Sequence, residues 1–151
     1  MGSWTKLAGY PLAALACAGL AFSAAAHVLA WMGRTASLGA WPLLLHMGTF
    51  IVFPAALLVS WLMMRGSPHG GFWKTAIAGC PRWLRGAVYA LFAYALLNFV
   101  LFIFQMRGGE HLLLASGVPV LILRGFSGYW AVLYLASLGL LWPALRGKAG
   151  Q

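Results

Sequence analysis

The side chains here that could do chemistry at neutral pH are few, and most are set apart by long apolar stretches. His27 and His46 each stand alone near the end of an oily run, Asn98 lies deep in another, and Glu110, the only acid, sits beside His111 and near Arg107. Imidazoles from two neighbouring helices are the usual way a helical bundle holds a b-type haem by its axial positions. With an amide nearby, the same groups would suit the carbonyls of a quinone. The ordinary alternative is that both rings hydrogen-bond inside a bundle or reach interfacial water. No spacing motif supports ligation, because each run offers a single histidine, so we expect hydrogen-bonded rings and keep haem b or quinone binding by His27, His46 and Asn98 as the alternative.

The remaining polar groups lend themselves to structure more than to catalysis. An interhelical amide bond contributes ~0.6–2 kcal/mol in membranes, so packing is the expected role of Asn98. Arg107, Glu110 and His111 read as a solvated loop group. Nothing resembles a nucleophile–base triad, a phosphate-cradling loop or a carboxylate pair. One acid is too few for a Mg²⁺-dependent lipid transferase, and apolar runs without Asp or Glu argue against a proton- or sodium-coupled transporter. Cys17 and Cys80 form no C-x-x-C pair and no metal spacing with histidine; we read both as small packing residues without a bridge between them. No catalytic residue and no metal site is expected.

What positions these groups is set by composition. The chain has 151 residues, of which 63% are hydrophobic and only 7% charged, where a soluble domain needs about a quarter charged to cover itself. Aromatic residues make up 15%, fitting rings seated at lipid headgroups. Four apolar runs, 7–31, 43–64, 84–105 and 128–145, are each near the ~20 residues that carry a helix across a bilayer. The expectation is an all-α, integral membrane four-helix bundle forming one domain. Lys6 followed by an apolar stretch and "SAAA" at 23–26 imitates a signal peptide; we expect that run to be retained as the first helix. Pro54 should kink the second helix near Phe50.

The net charge of +9 would suggest nucleic acid on a soluble fold, but here the basic residues lie between the runs and act as topology signals. Lys6, Arg65, Lys74, Arg82, Arg85, Arg146 and Lys148 share one side, against Arg34, Arg107 and Arg124 on the other. Seven against three places both termini in the cytoplasm. The connector "RGSPHGGFWKTAIAGCPRWLR" should hold a short helix in the headgroup plane, with Trp73, Lys74, Arg82, Trp83 and Arg85 meeting anionic headgroups. The opposite connector holds "LLLASGVPVLIL", 112–123, too short to span, which we read as a short hairpin or an interfacial segment.

Short polar stripes run along the helices. Gly19, Ser23 and His27 recur at four-residue spacing, the small residues letting another helix approach. Thr49 lies one turn from His46. Tyr94, Asn98 and Gln105 share a face, as do Trp130, Tyr134 and Ser137. With antiparallel first and second helices, His27 and His46 fall in one layer, and a polar cluster near the end bearing the short connector is expected.

Two stretches, "FWKTAIAGCPRWLRGAVYALFAYALLNF" (72–99) and "LRGFSGYWAVLY" (123–134), resemble a family of small, uncharacterised bacterial four-helix membrane proteins. In that family an "FSGHW..FY" block opens the last helix; here Tyr129 stands in place of its histidine, so no role of that histidine carries over. The resemblance covers about a quarter of the chain and implies a bacterial inner-membrane address without a catalytic residue. The overall reading is a non-enzymatic polytopic membrane protein, an accessory or assembly subunit of a larger complex. Its partners would be lipids and other membrane proteins, with nucleic acid excluded. A redox protein binding haem or quinone, or a small transporter or channel subunit, are the alternatives.

Overall fold

The computed structural model describes residues 3–34, 38–64, 76, 79–107 and 120–146. Four helices carry them: α1 (Ser3–Trp31), α2 (Trp41–Met64), α3 (Arg82–Arg107) and α4 (Val120–Arg146). Among the described residues there is no strand. Each helix is long and apolar enough to cross a membrane. The fold is the expected all-α bundle, and the protein is a membrane protein of four apolar helices.

Side-chain pairings give the directions. The start of α1 meets the end of α4, where Gly9 faces Ala144 and Leu145, and its end meets the start of α4, where Arg124 bonds the Ala30 carbonyl. α2 runs with α4: Leu45 pairs with Tyr134 near one end, and Ala56 and Val59 cluster with Leu140, Leu141 and Ala144 near the other. α3 runs against α4, from Trp83 on Trp142 to Phe102 on Phe126. The bundle is therefore up-down-up-down, with the α1–α2 and α3–α4 connections at one end.

The four helices are not equivalent. α1, α2 and α3 all pack on α4, while among the outer three only α1 and α2 also pack extensively on each other. Of the most apolar stretch of each helix, 56% is buried in α4 and 11% in α3. This explains why α4 is the least hydropathic of the four. It presents little surface to lipid, and it carries Ser127, Ser137 and, facing α3, Gly125 and Gly128, small residues of the kind that membrane helix interfaces favour.

The fourth helix begins eight residues earlier than the apolar run suggests. Arg124 and Gly125 look like a polar break in the sequence. In the structure the Arg124 guanidinium is consumed by the end of α1, and Gly125 lies under the Phe102 ring, where a Cβ would be 3.0 Å from the nearest ring carbon. Residues 120–123, assigned above to a hairpin arm or interfacial segment, are the first turn of α4; residues 112–119 lie outside the described set.

α1 ends in a geometry that its sequence encodes. Gly33 takes the left-handed conformation, with φ of 71°, which lacks a steric penalty only for glycine. The Arg34 N–H bonds the Leu29 carbonyl at 2.8 Å and the Gly33 N–H bonds that of Ala30 at 3.1 Å. This is the paired closure of a Schellman end. α2 starts with Pro42 in its first turn, where the missing N–H costs nothing, and it continues as helix through Pro54.

Candidate functional site

The polar side chains gather at the end of the bundle that carries the α1–α2 connection, in two groups. The first is built on His27. Its Nε2 accepts the Trp31 indole N–H at 3.0 Å and lies 2.5 Å from the Tyr94 hydroxyl, while Nδ1 lies 2.7 Å from Ser127 Oγ. An indole N–H can only donate, so Nε2 is bare and the ring proton sits on Nδ1. The directions follow: Trp31 and Tyr94 donate to His27, His27 donates to Ser127, and Ser127 donates onward to the Arg124 carbonyl at 3.5 Å. One chain of bonds thus ties α1, α3 and α4.

Arg124 is the node of this group. Its Nε donates to the Ala30 carbonyl at 3.0 Å and its Nη2 to the Trp31 carbonyl at 3.3 Å, with the guanidinium carbon 4.8 Å from the Trp31 ring centre. It gives the Trp31 carbonyl a donor and adds a second to the Ala30 carbonyl, which already accepts the Gly33 N–H, and its charge complements the negative end of the helix dipole. The backbone carbonyl of Arg124 in turn accepts Asn98 Nδ2 at 2.6 Å. Asn98 is buried, close to Gly128 and Ala95 where α3 and α4 approach. Its amide joins helices, the packing role expected from the sequence.

The second group is built on His46. Trp130 Nε1 donates to His46 Nδ1 at 3.2 Å, so the neutral ring carries its proton on Nε2. Phe50 and Phe126 meet the imidazole edge-on, with ring centres 5.1 and 6.2 Å away. His46 also lines an open groove of about 310 Å³ between α2 and α4. It lies five residues into α2, about 7 Å below its first residue at 1.5 Å per residue. His27 and His46 are held by different α4 residues, Ser127 and Trp130, less than one turn apart.

This geometry does not suit haem. An axial histidine binds iron through a bare nitrogen and donates the other N–H to a neighbour. On His27 the bare nitrogen is filled by Trp31 and Tyr94. On His46 the second nitrogen receives an N–H from Trp130 and so has no proton to give if Nε2 binds iron. Among the described residues no group of three or more His, Cys, Asp or Glu side chains could hold a metal ion.

The stripes read from sequence fall where helices touch, with different partners. Ala16, Gly19, Ser23 and Ala30 make the buried face of α1. Tyr134 fills the space between Gly19 and Gly48, where a Cβ on either glycine would overlap its ring or hydroxyl, and its hydroxyl donates to the Leu45 carbonyl at 2.9 Å. Ser23 Oγ is fully buried with no hydrogen-bond partner; the residue serves there by its small size. Thr49 and Ser137 bond carbonyls of their own helices, those of His46 and Leu133. Gln105 and Arg107 lie in α3, but their side chains are outside the described set, as are Glu110 and His111.

At the opposite end, Trp83 is 67% exposed and meets Trp142 edge-on at 6.2 Å, while Arg146 lies 4.5 Å over the Trp142 ring. Arg82 is exposed, and Arg85 borders a crevice of about 60 Å³ with Cys80. Burial pushes the Cys80 thiol up from its ordinary range, and the nearby Arg85 charge pulls it part of the way back. Both cysteines are free. Cys80 packs as expected, whereas Cys17 faces outward from α1. Of the interfacial residues in the connector, Trp73 and Lys74 lie outside the described residues; Ala76 is helical and buried against α2 and α4.

Sequence reasoning missed Arg124 and Ser127 as site residues. Arg124 was counted as a connector charge and Ser127 was placed outside the helix. No family model matches the chain, and neither does any curated protein or solved structure. What the fold defines is a class, the polytopic membrane bundle of four helices.

Proposed function

We propose that this chain is a non-enzymatic membrane module, an accessory or assembly subunit of a larger membrane complex. In this reading it resides in a bacterial inner membrane with both termini in the cytoplasm. The observation that carries the reading is that the polar side chains between the described helices, Ser23 apart, hydrogen-bond within the bundle. His27 has both nitrogens engaged, and Asn98, Arg124, Ser127 and Tyr134 all bond within the bundle. Such groups hold helices in register and leave little chemistry for a substrate. The orientation rests on the excess of basic residues at the end bearing the termini. Arg82, Arg85 and Arg146, with Trp83 and Trp142, give that end a surface suited to anionic headgroups. The resemblance to small bacterial membrane proteins supports the same address. On the far side of the bundle, α3 leaves Tyr89, Phe92, Leu97, Leu101 and Phe104 facing outward, a rim on which another membrane helix would find rings and aliphatic groups.

The test is extraction from its own membrane into lipid nanodiscs, followed by quantitative mass spectrometry of the purified particles. A companion membrane chain at fixed ratio is the expected result. A lone monomer with no companion sinks the subunit reading, and a tag after Gln151 that is reachable from outside intact cells reverses the orientation.

A further inference from the structure

Beside His46, a polar ring fixed by a hydrogen bond meets an open, mostly apolar groove. Leu43, Ile122, Leu123 and Phe126 form its walls with Trp130 and His46, and the exposure of Leu43 and Ile122 opens it sideways to the surrounding acyl chains. The Trp130 N–H holds the imidazole by Nδ1, which fixes both the ring plane and the tautomer, so the neutral ring's own N–H is at Nε2. Phe126 and Trp130 supply aromatic surface on the groove, and Phe50 backs the imidazole.

We propose that this groove binds the ring of a benzoquinone-type lipid, with His46 Nε2–H donating to one carbonyl and the apolar tail leaving between α2 and α4. The chemistry of the lining selects this occupant. A phospholipid head brings a phosphate, yet among the described residues no lysine or arginine lines the groove. A neutral flat ring with an acceptor oxygen matches one donor, aromatic walls and a volume of about 310 Å³, at the small end of ligand sites. His27 and Asn98 take no part, since their bonds are spent inside the bundle. The inference is independent of the subunit reading: a protein with no companion chain would still have this groove.

The experiment uses the full chain in phosphatidylcholine nanodiscs and a short-tailed benzoquinone carrying a photoreactive azide, with labelled peptides located by mass spectrometry. Saturable labelling on α2 and α4 around Leu43 and Phe126 is expected. His46→Leu should weaken it about tenfold, the effect of one lost hydrogen bond of ordinary strength. His46→Gln, which restores an N–H donor, should recover most of the affinity. Ile122→Trp fills the groove without touching the His46–Trp130 bond and should abolish labelling while thermal unfolding stays unchanged. Labelling that never saturates, that survives both His46→Leu and Ile122→Trp, or that is displaced equally by an alkylbenzene of the same tail length overturns the proposal.

Discussion

At the scale of single residues, Arg124 does the most with the least sequence signal. One guanidinium bonds two carbonyls of α1 and stacks on Trp31, while its own carbonyl anchors Asn98 from α3. Hydrogen bonds from a charged donor contribute about 1.5–3 kcal/mol. Arg124→Met should therefore destabilise the bundle by about 2 kcal/mol. Arg124→Lys should fall between, because an ammonium keeps the charge without the flat two-point fork. Equilibrium unfolding in mixed micelles, followed by far-ultraviolet circular dichroism, reads both values; equal stability of wild type and Arg124→Met would remove the capping argument. The sequence pointed to His27, His46 and Asn98 because polar groups inside apolar runs are conspicuous. It hid Arg124 because an arginine near a run's edge looks like a loop charge until its partner, the end of another helix 90 residues away, is known.

At the scale of elements, Tyr134 shows how three helices are keyed together. Its ring stands where side chains are missing on both neighbours, at Gly19 of α1 and Gly48 of α2, and its hydroxyl is pinned to the Leu45 carbonyl. A Cβ at Gly19 would overlap the ring, so Gly19→Ala should cost about 1–3 kcal/mol by overpacking. Combined with Tyr134→Leu, the same alanine should cost much less, because the clash it makes has gone. A double-mutant cycle on unfolding free energies tests this, and additive losses would mean that the two sites do not share the contact. The stripe of small residues at 19, 23 and 27 was legible from spacing alone. What spacing could not give is the partner. Tyr134, three residues from Ser137 and four from Trp130, reads as one more member of a polar face, and only the fold shows that Trp130 and Tyr134 bond α2 while Ser137 bonds its own helix.

At the scale of the molecule, the hub position of α4 determines which parts can stand without which. α1 and α2 share an interface, but the larger surfaces of α1, α2 and α3 are all turned to α4, and both buried clusters draw members from it, Trp130 and Tyr134 in one and Leu140, Leu141 and Ala144 in the other. The fourth helix in chain order therefore supplies the core. Helix association in a bilayer rests on packing and interhelical hydrogen bonds, so a chain ending after Arg107 has lost nearly all the contacts that order it, even though three of its four apolar helices remain. A chain cut between α2 and α3 has lost none of them. Co-expressed fragments 1–70 and 71–151 should associate in the membrane and co-purify, since α4 offers most of the second fragment's interface to α1 and α2. Fragment 1–107 expressed alone should be degraded rapidly or bound by membrane quality control. Pulse-chase half-lives and co-purification measure both outcomes. A stable, protease-resistant 1–107 fragment would show that the first three helices make a core of their own, and α4 would then be an appendage to it.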